Sequence, residues 1–214
     1  MHDLVAGLIQ FRTQEFQEHK NLFSDLKRRQ EPHTLFIGCS DSRVVPELIT
    51  TSLPGELFVV RNIANIVPTF KETYEYATTS ATTAAIEYAV KILKVKNIIV
   101  CGHSNCGGCS SIYLPDAVLD EIPATKKWLE LAENVKARVI EGLEENNKVN
   151  DLEMREWLTE HMNIVEQLNH LLTYPFIKEK HSNKELDIMG MYYTIETGEV
   201  LIYNANKKAF ELAN

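Results

Sequence analysis

Three short runs of apolar residues divide the first half of the chain. They are TLFIGCS at 34–40, ELFVVRN at 56–62 and NIIVCGH at 97–103. Each run is rich in branched and aromatic side chains and is apolar on both faces, which is typical of buried parallel strands. VPELITT at 45–51 lies between the first two runs, and TTSATTAAIEYAVKIL at 78–93, between the second and third, predicts a helix. Strands that alternate with helices predict a parallel sheet covered on both faces.

Residues 3–29 carry apolar side chains at an approximately helical spacing among charges and contain no proline, although Gly7 weakens the start. The apolar positions are Leu4, Leu8, Phe11, Phe16, Phe23 and Leu26. One interpretation is a surface helix that packs on its own core. Because the segment precedes the first strand and has no hairpin partner, a helical arm lying on another subunit is the alternative.

The second half of the chain predicts two helices and then a strand pair. The helical stretches are 123–144 and 152–172, and the later segment at 185–204, ELDIMGMYYTIETGEVLIYN, has a Thr-Gly turn between two strand-like runs. These features predict an α/β fold: a mostly parallel central sheet flanked by helices, with an antiparallel edge hairpin near the C-terminus. Because the sequence lacks repeats and flexible linkers, we expect one domain over 1–214, with 1–29 as the N-terminal arm.

Composition narrows the classes of function. With 214 residues and 44% apolar content, the chain can bury a sizeable core. The formal net charge of -8 disfavours a nucleic-acid partner. No apolar run approaches the roughly 20 residues that span a bilayer, and the N-terminus lacks the basic start of a signal peptide. We therefore expect a cytoplasmic protein without a membrane partner. The four cysteines are too few and too clustered for a disulfide framework, so metal binding or catalysis is the better explanation.

Two of the predicted strands end in side chains that bind metals. FIGCSDSR at 36–43 contains Cys39, and VCGHSNCGGC at 100–109 contains His103 and Cys106. Ligands of open parallel sheets bind beyond the carboxyl ends of the strands, where these residues lie. Thiolate and imidazole are ligands that Zn²⁺ accepts in a tetrahedron. The sequence therefore predicts a zinc site on Cys39, His103 and Cys106.

The fourth zinc position decides between a structural and a catalytic site. Asp41 as a ligand would close the site, whereas a water molecule there would become acidic and nucleophilic. Arg43, two residues further along an extended segment, can hold the Asp41 carboxylate in a charge-assisted pair and keep it off the metal. A simpler alternative is that Ser42 or Asp41 only caps the following helix.

Cys109 introduces a further alternative. Cys106 and Cys109 form a CxxC pair, a spacing found in redox and zinc sites, and with Cys101 and His103 they could build a purely local zinc site. The intervening glycines favour a tight turn or close backbone approach over a redox helix. Cys101 lies inside an apolar strand, where packing is its expected role.

These residues resemble those of the β-class carbonic anhydrases. The shared motifs are CSDSR at 39–43, PGELFVVRNIAN at 54–65, AAIEYAV at 84–90, GHSNCGG at 102–108 and LLTYPF at 171–176. They occur in the family's order and spacing, so the similarity covers about 30–203, and the ordered set is far more specific than any single motif.

The resemblance implies an activity and an assembly. It implies one Zn²⁺ per subunit on Cys39, His103 and Cys106, with the Asp41 and Arg43 dyad governing whether the fourth position is open. It also implies reversible hydration of CO₂ to bicarbonate and a proton, by attack of a zinc-bound hydroxide that Asp41 orients. Family members form homodimers with sites at the interface, often paired into tetramers, so 3–29 would be an exchanged arm.

The resemblance also implies a substrate pocket of the plant-like subgroup. Its glutamine corresponds to Gln30, its aromatic residues to Phe58 and Tyr88, and a further apolar wall to Ile63. Amides around Gly107 at a helix N-terminus would favour the developing anion. A second subgroup has a tryptophan three residues before the first zinc cysteine, linked to inhibition by bicarbonate. Phe36 occupies that position here, so we expect no bicarbonate-switched closed state.

Two other functions remain open from the sequence. The same scaffold and metal would also serve a hydrolase of COS or CS₂, because pocket shape and access decide between these substrates. A non-catalytic zinc or redox-switch protein using Cys106 and Cys109 is the alternative from a different class. The zinc enzyme predicts that Cys39→Ser removes zinc and activity while Cys109→Ser spares both. The opposite pattern would support the local site.

Overall fold

A six-stranded mixed sheet forms the centre of the protein. The computed structural model describes residues 2–74 and 80–213. The strands are β1 (Thr34–Cys39), β2 (Leu57–Asn62), β3 (Asn97–His103), β4 (Asp187–Tyr193), β5 (Val200–Asn204) and β6 (Ala209–Leu212). They are ordered β2-β1-β3-β4-β5-β6. The first four are parallel, whereas β5 and β6 pair antiparallel with their neighbours, which confirms the predicted α/β fold class.

Helices connect and cover the strands. The α-helices are α1 (His2–Gln10), α2 (Phe16–Glu18), α3 (Lys20–Leu26), α4 (Pro46–Thr50), α5 (Phe70–Tyr74), α6 (Ala81–Glu87), α7 (Gly107–Ser110), α8 (Asp116–Leu119), α9 (Pro123–Leu129), α10 (Glu133–Glu145), α11 (Leu152–Leu172) and α12 (Pro175–Ser182). Wider π-helical turns at Phe11–Glu15 and Tyr88–Leu93 and 3₁₀ turns at Ile63–Asn65, Ser111–Tyr113 and Glu130–Ala132 extend them. The helix predicted over 78–93 is confirmed from Ala81 onwards, and 78–79 lie outside the described residues. No helix of the described ranges combines the length and the apolarity needed to cross a bilayer.

The long helix α11 lies directly on the sheet because two strand residues have no side chain. A Cβ atom on Gly102 of β3 would lie 2.7 Å from Ile164 Cδ1, and one on Gly190 of β4 would lie 2.8 Å from Ile164 Cγ2. Ile164 is fully buried in the largest core cluster. This close contact places the middle of α11 beside the carboxyl end of β3, where the predicted metal ligands lie.

The first part of the N-terminal arm buries little of its apolar face within its own chain, whereas Phe16, Phe23 and Leu26 further along are half-buried. The exposed fractions are 74% for Leu4, 68% for Leu8 and 46% for Phe11. Helices, with a break at His19, confirm the helical segment predicted over 3–29 as far as Leu26, three residues short of the expected end. This exposure agrees with an arm that reaches another subunit better than with a helix packed on its own core.

The C-terminal segment contains more structure than predicted. The expected hairpin exists, with Tyr193 paired to Val200 across the turn. A third strand, β6, extends this edge of the sheet, and α12 precedes β4; the sequence reasoning assigned neither element.

Candidate active site

Three ligand-type side chains meet at the carboxyl ends of β1 and β3. Cys39 is the last residue of β1, His103 is the last of β3, and Cys106 follows His103 by one tight turn. Their ligand atoms all lie within 4.8 Å of one another and all three residues are buried; among the described residues they form the only such group. The two Sγ atoms are 3.8 Å apart. Two thiolates bound tetrahedrally at about 2.3 Å from one zinc ion would be separated by about the same distance.

The His103 ring is oriented for metal binding. Its Nδ1 donates a hydrogen bond to the Ser104 carbonyl at 2.9 Å, which leaves Nε2 with a free lone pair. Nε2 is buried and has no hydrogen-bond partner. A buried polar atom without a partner is costly in a folded protein. Its position beside two sulfur atoms is explained if all three atoms bind one cation.

The charge state of the thiols leads to the same conclusion. The hydrogen bond to Cys106, together with burial, raises the pKa of Cys39 to about 12. The neighbouring Cys109 thiol is the largest cause that raises the pKa of Cys106. Each thiol thus resists ionisation, and a bound cation is needed to keep both as thiolates. The residues present therefore fit a zinc ion.

Asp41 and Arg43 form a bidentate ion pair beside this cluster. Arg43 Nε donates to Asp41 Oδ1 at 2.9 Å, and Arg43 Nη2 donates to Oδ2 at 2.8 Å. The second carboxylate oxygen is 4.0 Å from His103 Nε2. The Arg43 guanidinium holds the pKa of Asp41 well below its usual range, so the carboxylate is ionised at every working pH.

The capping alternative for this segment is not supported. Helix α4 begins at Pro46 with Val45 as its N-cap, and no side chain caps it. Asp41 Oδ1 instead accepts from the Arg43 backbone N–H at 2.9 Å. The carboxylate therefore stabilises its own turn and faces the cluster.

The loop after β1 is fixed by a residue that the sequence reasoning did not select. Arg61, near the end of β2, donates from Nε to the Cys39 carbonyl at 2.9 Å and from Nη2 to the Asp41 carbonyl. Asn62 accepts through its backbone carbonyl from the Ser40 N–H at 2.8 Å. A charged residue at the end of an apolar strand, beside β1, is the signal that identifies Arg61.

Glu160 fixes the second ligand loop and was also not selected. This residue of α11 is only 4% exposed. Its Oε1 accepts the Cys106 backbone N–H at 2.8 Å, and its Oε2 accepts the Tyr192 hydroxyl at 2.7 Å. Burial raises the pKa of the Glu160 carboxyl group. The sequence signal is an acidic residue on the packed face of an amphipathic helix.

Glycine at position 108 permits the close approach that the CGGC spacing suggested. A Cβ atom there would lie 2.8 Å from the Ala64 backbone nitrogen. A Cβ atom on Gly107 would meet nothing within 4 Å, and Gly107 is exposed at the start of α7. The loop at Ala64 thus packs directly on the helix that follows the metal ligands.

The predicted pocket residues fall into two groups, one beside the metal-ligand cluster of the same chain and one at the opposite, amino-terminal side of the parallel strands. Ile63 is 42% exposed and borders a cavity of about 380 Å³ together with Ser40 and Trp128. Phe58 and Tyr88 contact each other, with ring centroids 6.0 Å apart. However, Phe58 pairs with Leu35 of β1, four residues before Cys39, so it lies about 13 Å along the strand from the cluster of its own chain. Gln30, which is exposed, also lies at this amino-terminal side, before β1 begins.

The remaining cysteines do not join the cluster. Cys101 is fully buried and packs with Phe36 and Met191. Cys109 is buried in the same core cluster as Cys39 and Cys106, where its Sγ accepts from Asn163 Nδ2 at 3.7 Å, but it is not among the ligand atoms that lie within 4.8 Å of one another. The local site built from Cys101, His103, Cys106 and Cys109 is therefore not the arrangement that the fold assembles.

Comparisons with known proteins agree with this geometry. The family model described as carbonic anhydrase matches residues 34–200. A carbonic anhydrase of Helicobacter pylori strain J99 is 43% identical over 212 residues, covering 98% of this chain and 93% of the relative. A carbonic anhydrase of Synechocystis is 38% identical over 206 residues and covers 95% of this chain and 71% of the relative.

Solved structures show the same fold and class. The β-carbonic anhydrase CcaA superposes with a TM-score of 0.90 at 37% identity, covering 100% of this chain and 99% of that one. A β-carbonic anhydrase of Sordaria macrospora, described as tetrameric, gives a TM-score of 0.79 at 30% identity and covers 95% of this chain and 96% of that one. The chain therefore belongs to the β-class carbonic anhydrases, the zinc enzymes that interconvert carbon dioxide and bicarbonate.

Proposed function

We propose that Cys39, His103 and Cys106 hold one Zn²⁺ in each subunit and that Asp41 and Arg43 control its fourth position. The observation that carries this assignment is the buried, unpartnered Nε2 of His103 beside two sulfur atoms 3.8 Å apart. When bound, zinc lowers the pKa of a water molecule toward roughly 7 and so makes it nucleophilic toward CO₂.

Asp41 positions the attacking water in this proposal. Both carboxylate oxygens are already held by Arg43, and this double contact supports a carboxylate that stays off the metal. Because Asp41 is ionised, its Oδ2 can only accept a hydrogen bond from the water. That bond would turn an oxygen lone pair of the water toward the substrate.

The pocket for CO₂ is proposed to be shared between subunits. Ile63 and the exposed amides near Gly107 lie beside the cluster of their own chain, whereas Phe58 lies about 13 Å along the strand from it, with the Tyr88 ring against it. Phe58, Tyr88 and Gln30 would then line the pocket of the partner subunit. CO₂ carries no charge, so apolar walls with a few polar groups suit it.

The assembly is proposed to be a homodimer or a dimer of dimers. The exposed apolar positions of the arm, 74% at Leu4 and 68% at Leu8, support an arm that crosses to the partner. The tetrameric description of the Sordaria relative supports pairing of dimers. We further propose that 1–214 form one domain and that the protein is cytoplasmic, where the reducing conditions would keep its four free cysteines as thiols.

Phe36 supports an enzyme without a bicarbonate-switched closed state. It is fully buried in a cluster with Cys101 and Met191, where it has no polar atom to offer an anion. Asp41 would therefore keep Arg43 as its partner in the presence of bicarbonate.

Zinc content measured beside stopped-flow CO₂ hydration tests the proposed site. Cys39→Ser should lose both bound zinc and activity, because one of three protein ligands is gone. Cys109→Ser is the matched control, a buried cysteine outside the cluster, and should retain both. The opposite pattern would support the local CxxC site, and sulfide release from COS without CO₂ hydration would support the alternative hydrolase.

A further inference from the structure

A second cavity lies away from the zinc ligands, between α11 and the antiparallel strands. Its volume is about 600 Å³, which is within the range of small-molecule sites. Aromatic and aliphatic side chains form most of its walls, chiefly Trp157, His161, Tyr192, Tyr203 and Phe210. Neither the zinc site nor the proposed CO₂ pocket includes these residues.

The floor of this aromatic groove is already packed in a fixed arrangement. The His161 ring lies 4.0 Å from the Tyr192 ring and 4.2 Å from the Trp157 ring, centroid to centroid, and meets Phe210 edge-on at 4.6 Å. His161 and Tyr192 are buried, whereas Trp157 at the rim is 49% exposed. Rigid flat walls that remain accessible at the rim favour a flat apolar ligand, because little ordering is needed on binding.

The mouth of the groove carries one unpaired positive charge. Lys208 borders the groove, is exposed, and makes no hydrogen bond or ion pair with any described residue. Its neighbour Lys207 instead pairs with Glu211 at 2.6 Å. The other groove cation, Arg138, is bound to Glu166 at 3.2 Å. Glu199, which also borders the groove, accepts from the Thr197 hydroxyl at 3.0 Å and lies just before β5, whereas Lys208 lies beyond the other end of that strand. Lys208 is therefore the cation available to an anionic group on a ligand.

We propose that this groove binds a small aromatic acid, with its ring between Trp157 and Phe210 and its acidic group at Lys208. The groove also connects to the zinc-ligand loop. Tyr192 forms part of its floor and donates to Glu160 at 2.7 Å, and Glu160 accepts the Cys106 backbone N–H at 2.8 Å. An occupant in contact with the Tyr192 ring alters the hydrogen bond from the Tyr192 hydroxyl to Glu160, and through Glu160 the Cys106 loop, so binding changes the rate of CO₂ hydration. The coupling rests on the proposed zinc site, whereas the binding does not.

Fluorescence titration with 8-anilinonaphthalene-1-sulfonate tests the binding. This probe combines aromatic rings with one anionic group. We expect saturable binding of one probe per subunit, displaced by 2-naphthoate and much less by the neutral 2-naphthalenemethanol. Lys208→Gln should weaken binding roughly twofold to fivefold, as expected for loss of one exposed ion pair. The matched control Lys207→Gln should bind as the parent does, and Ala209→Tyr, which fills the mouth, should abolish binding.

Several results would overturn the binding proposal. They are equal affinity of the Lys208→Gln and Lys207→Gln variants, equal displacement by the acid and the alcohol, or unchanged binding to Ala209→Tyr. A further result would assign the groove to a second copy of the chain instead. In that case the parent protein would not bind the probe, and Phe210→Glu would form a smaller assembly than the parent.

Stopped-flow CO₂ hydration with saturating 2-naphthoate tests the coupling. The rate of the parent enzyme should change at least about twofold, a coupling at the low end of the usual range. Tyr192→Phe keeps the ring but removes the hydroxyl, so it should bind the probe and lose the response. An unchanged rate in the parent would refute the coupling. A response in the Ala209→Tyr variant would also refute it, because the acid would then act at the zinc site.

Discussion

Two adjacent glycines give a sharp test of how the zinc-ligand loop is packed. Gly107 and Gly108 both begin the short helix α7, yet their surroundings differ. A Cβ atom on Gly108 would lie 2.8 Å from the Ala64 nitrogen and 2.9 Å from its Cβ, whereas a Cβ atom on Gly107 would meet nothing within 4 Å. The obstructing atoms belong to the backbone and to a Cβ, which cannot rotate away.

Gly108→Ala should therefore destabilise the protein, and Gly107→Ala should not. Overpacking of this kind costs about 1–3 kcal/mol. For a chain of this size each kcal/mol lowers Tm by about 2–4 °C, so a decrease of about 2–12 °C is expected. Gly107→Ala should raise Tm slightly or leave it unchanged, because alanine reduces the entropy of the unfolded chain.

Thermal unfolding at fixed protein and zinc concentrations measures both variants, since bound metal and assembly shift Tm. We also expect slower CO₂ hydration by Gly108→Ala, because the helix that it displaces continues directly from Cys106. A Tm for Gly108→Ala equal to or above that of Gly107→Ala would refute the packing argument.

Three further predictions concern subunit sharing, pH and the closed state. Phe58→Ala subunits should be weakly active alone, and Cys39→Ser subunits should be inactive alone. After the two are mixed and reassembled, about half of the dimers contain one subunit of each kind and so carry one intact site out of two, which should restore roughly a quarter of full activity. No gain in activity would mean that Phe58 and Cys39 of the same subunit belong to the same site. Burial lowers the pKa of His161 below its usual value of about 6.5. As the pH falls below about 6.5, His161 is protonated in the unfolded chain but still neutral in the folded chain, so the free energy of unfolding decreases. His161→Phe should show a smaller fall in Tm between about pH 7.5 and pH 5.5, and an equal fall would contradict this assignment. A crystal structure of the zinc-loaded enzyme grown above neutral pH with bicarbonate should show Asp41 paired with Arg43; direct coordination of zinc by Asp41 would contradict the expectation drawn from Phe36.

Much of the sheet was predictable because its parallel strands are apolar on both faces. Positions 35–38 and 98–102 have that pattern, and the two runs are followed directly by the ligand residues Cys39 and His103. Helix α11, which was predicted at roughly 152–172, spans Leu152–Leu172, where the amphipathic pattern is long. Strand β6 was missed because only four residues form it, at an exposed edge where no alternation marks a buried face.

The metal ligands were predictable for a different reason from the residues that support them. Cysteine and histidine at strand ends are rare residue types in an informative position, so Cys39 and His103 could be selected directly. Arg61 and Glu160 act through contacts with backbone atoms of segments distant in sequence, which only the folded chain brings together. The location of Phe58 relative to the cluster likewise depends on strand register, which the sequence motif does not contain.

Zinc K-edge X-ray absorption on the purified, zinc-loaded protein tests the central claim most directly. We expect one zinc per subunit with two sulfur ligands at about 2.3 Å, one imidazole nitrogen and one light atom, and Cys39→Ser should remove this signal. Three or more sulfur ligands, or a two-sulfur shell that persists in Cys39→Ser, would contradict the assignment of Cys39, His103 and Cys106 as the metal site.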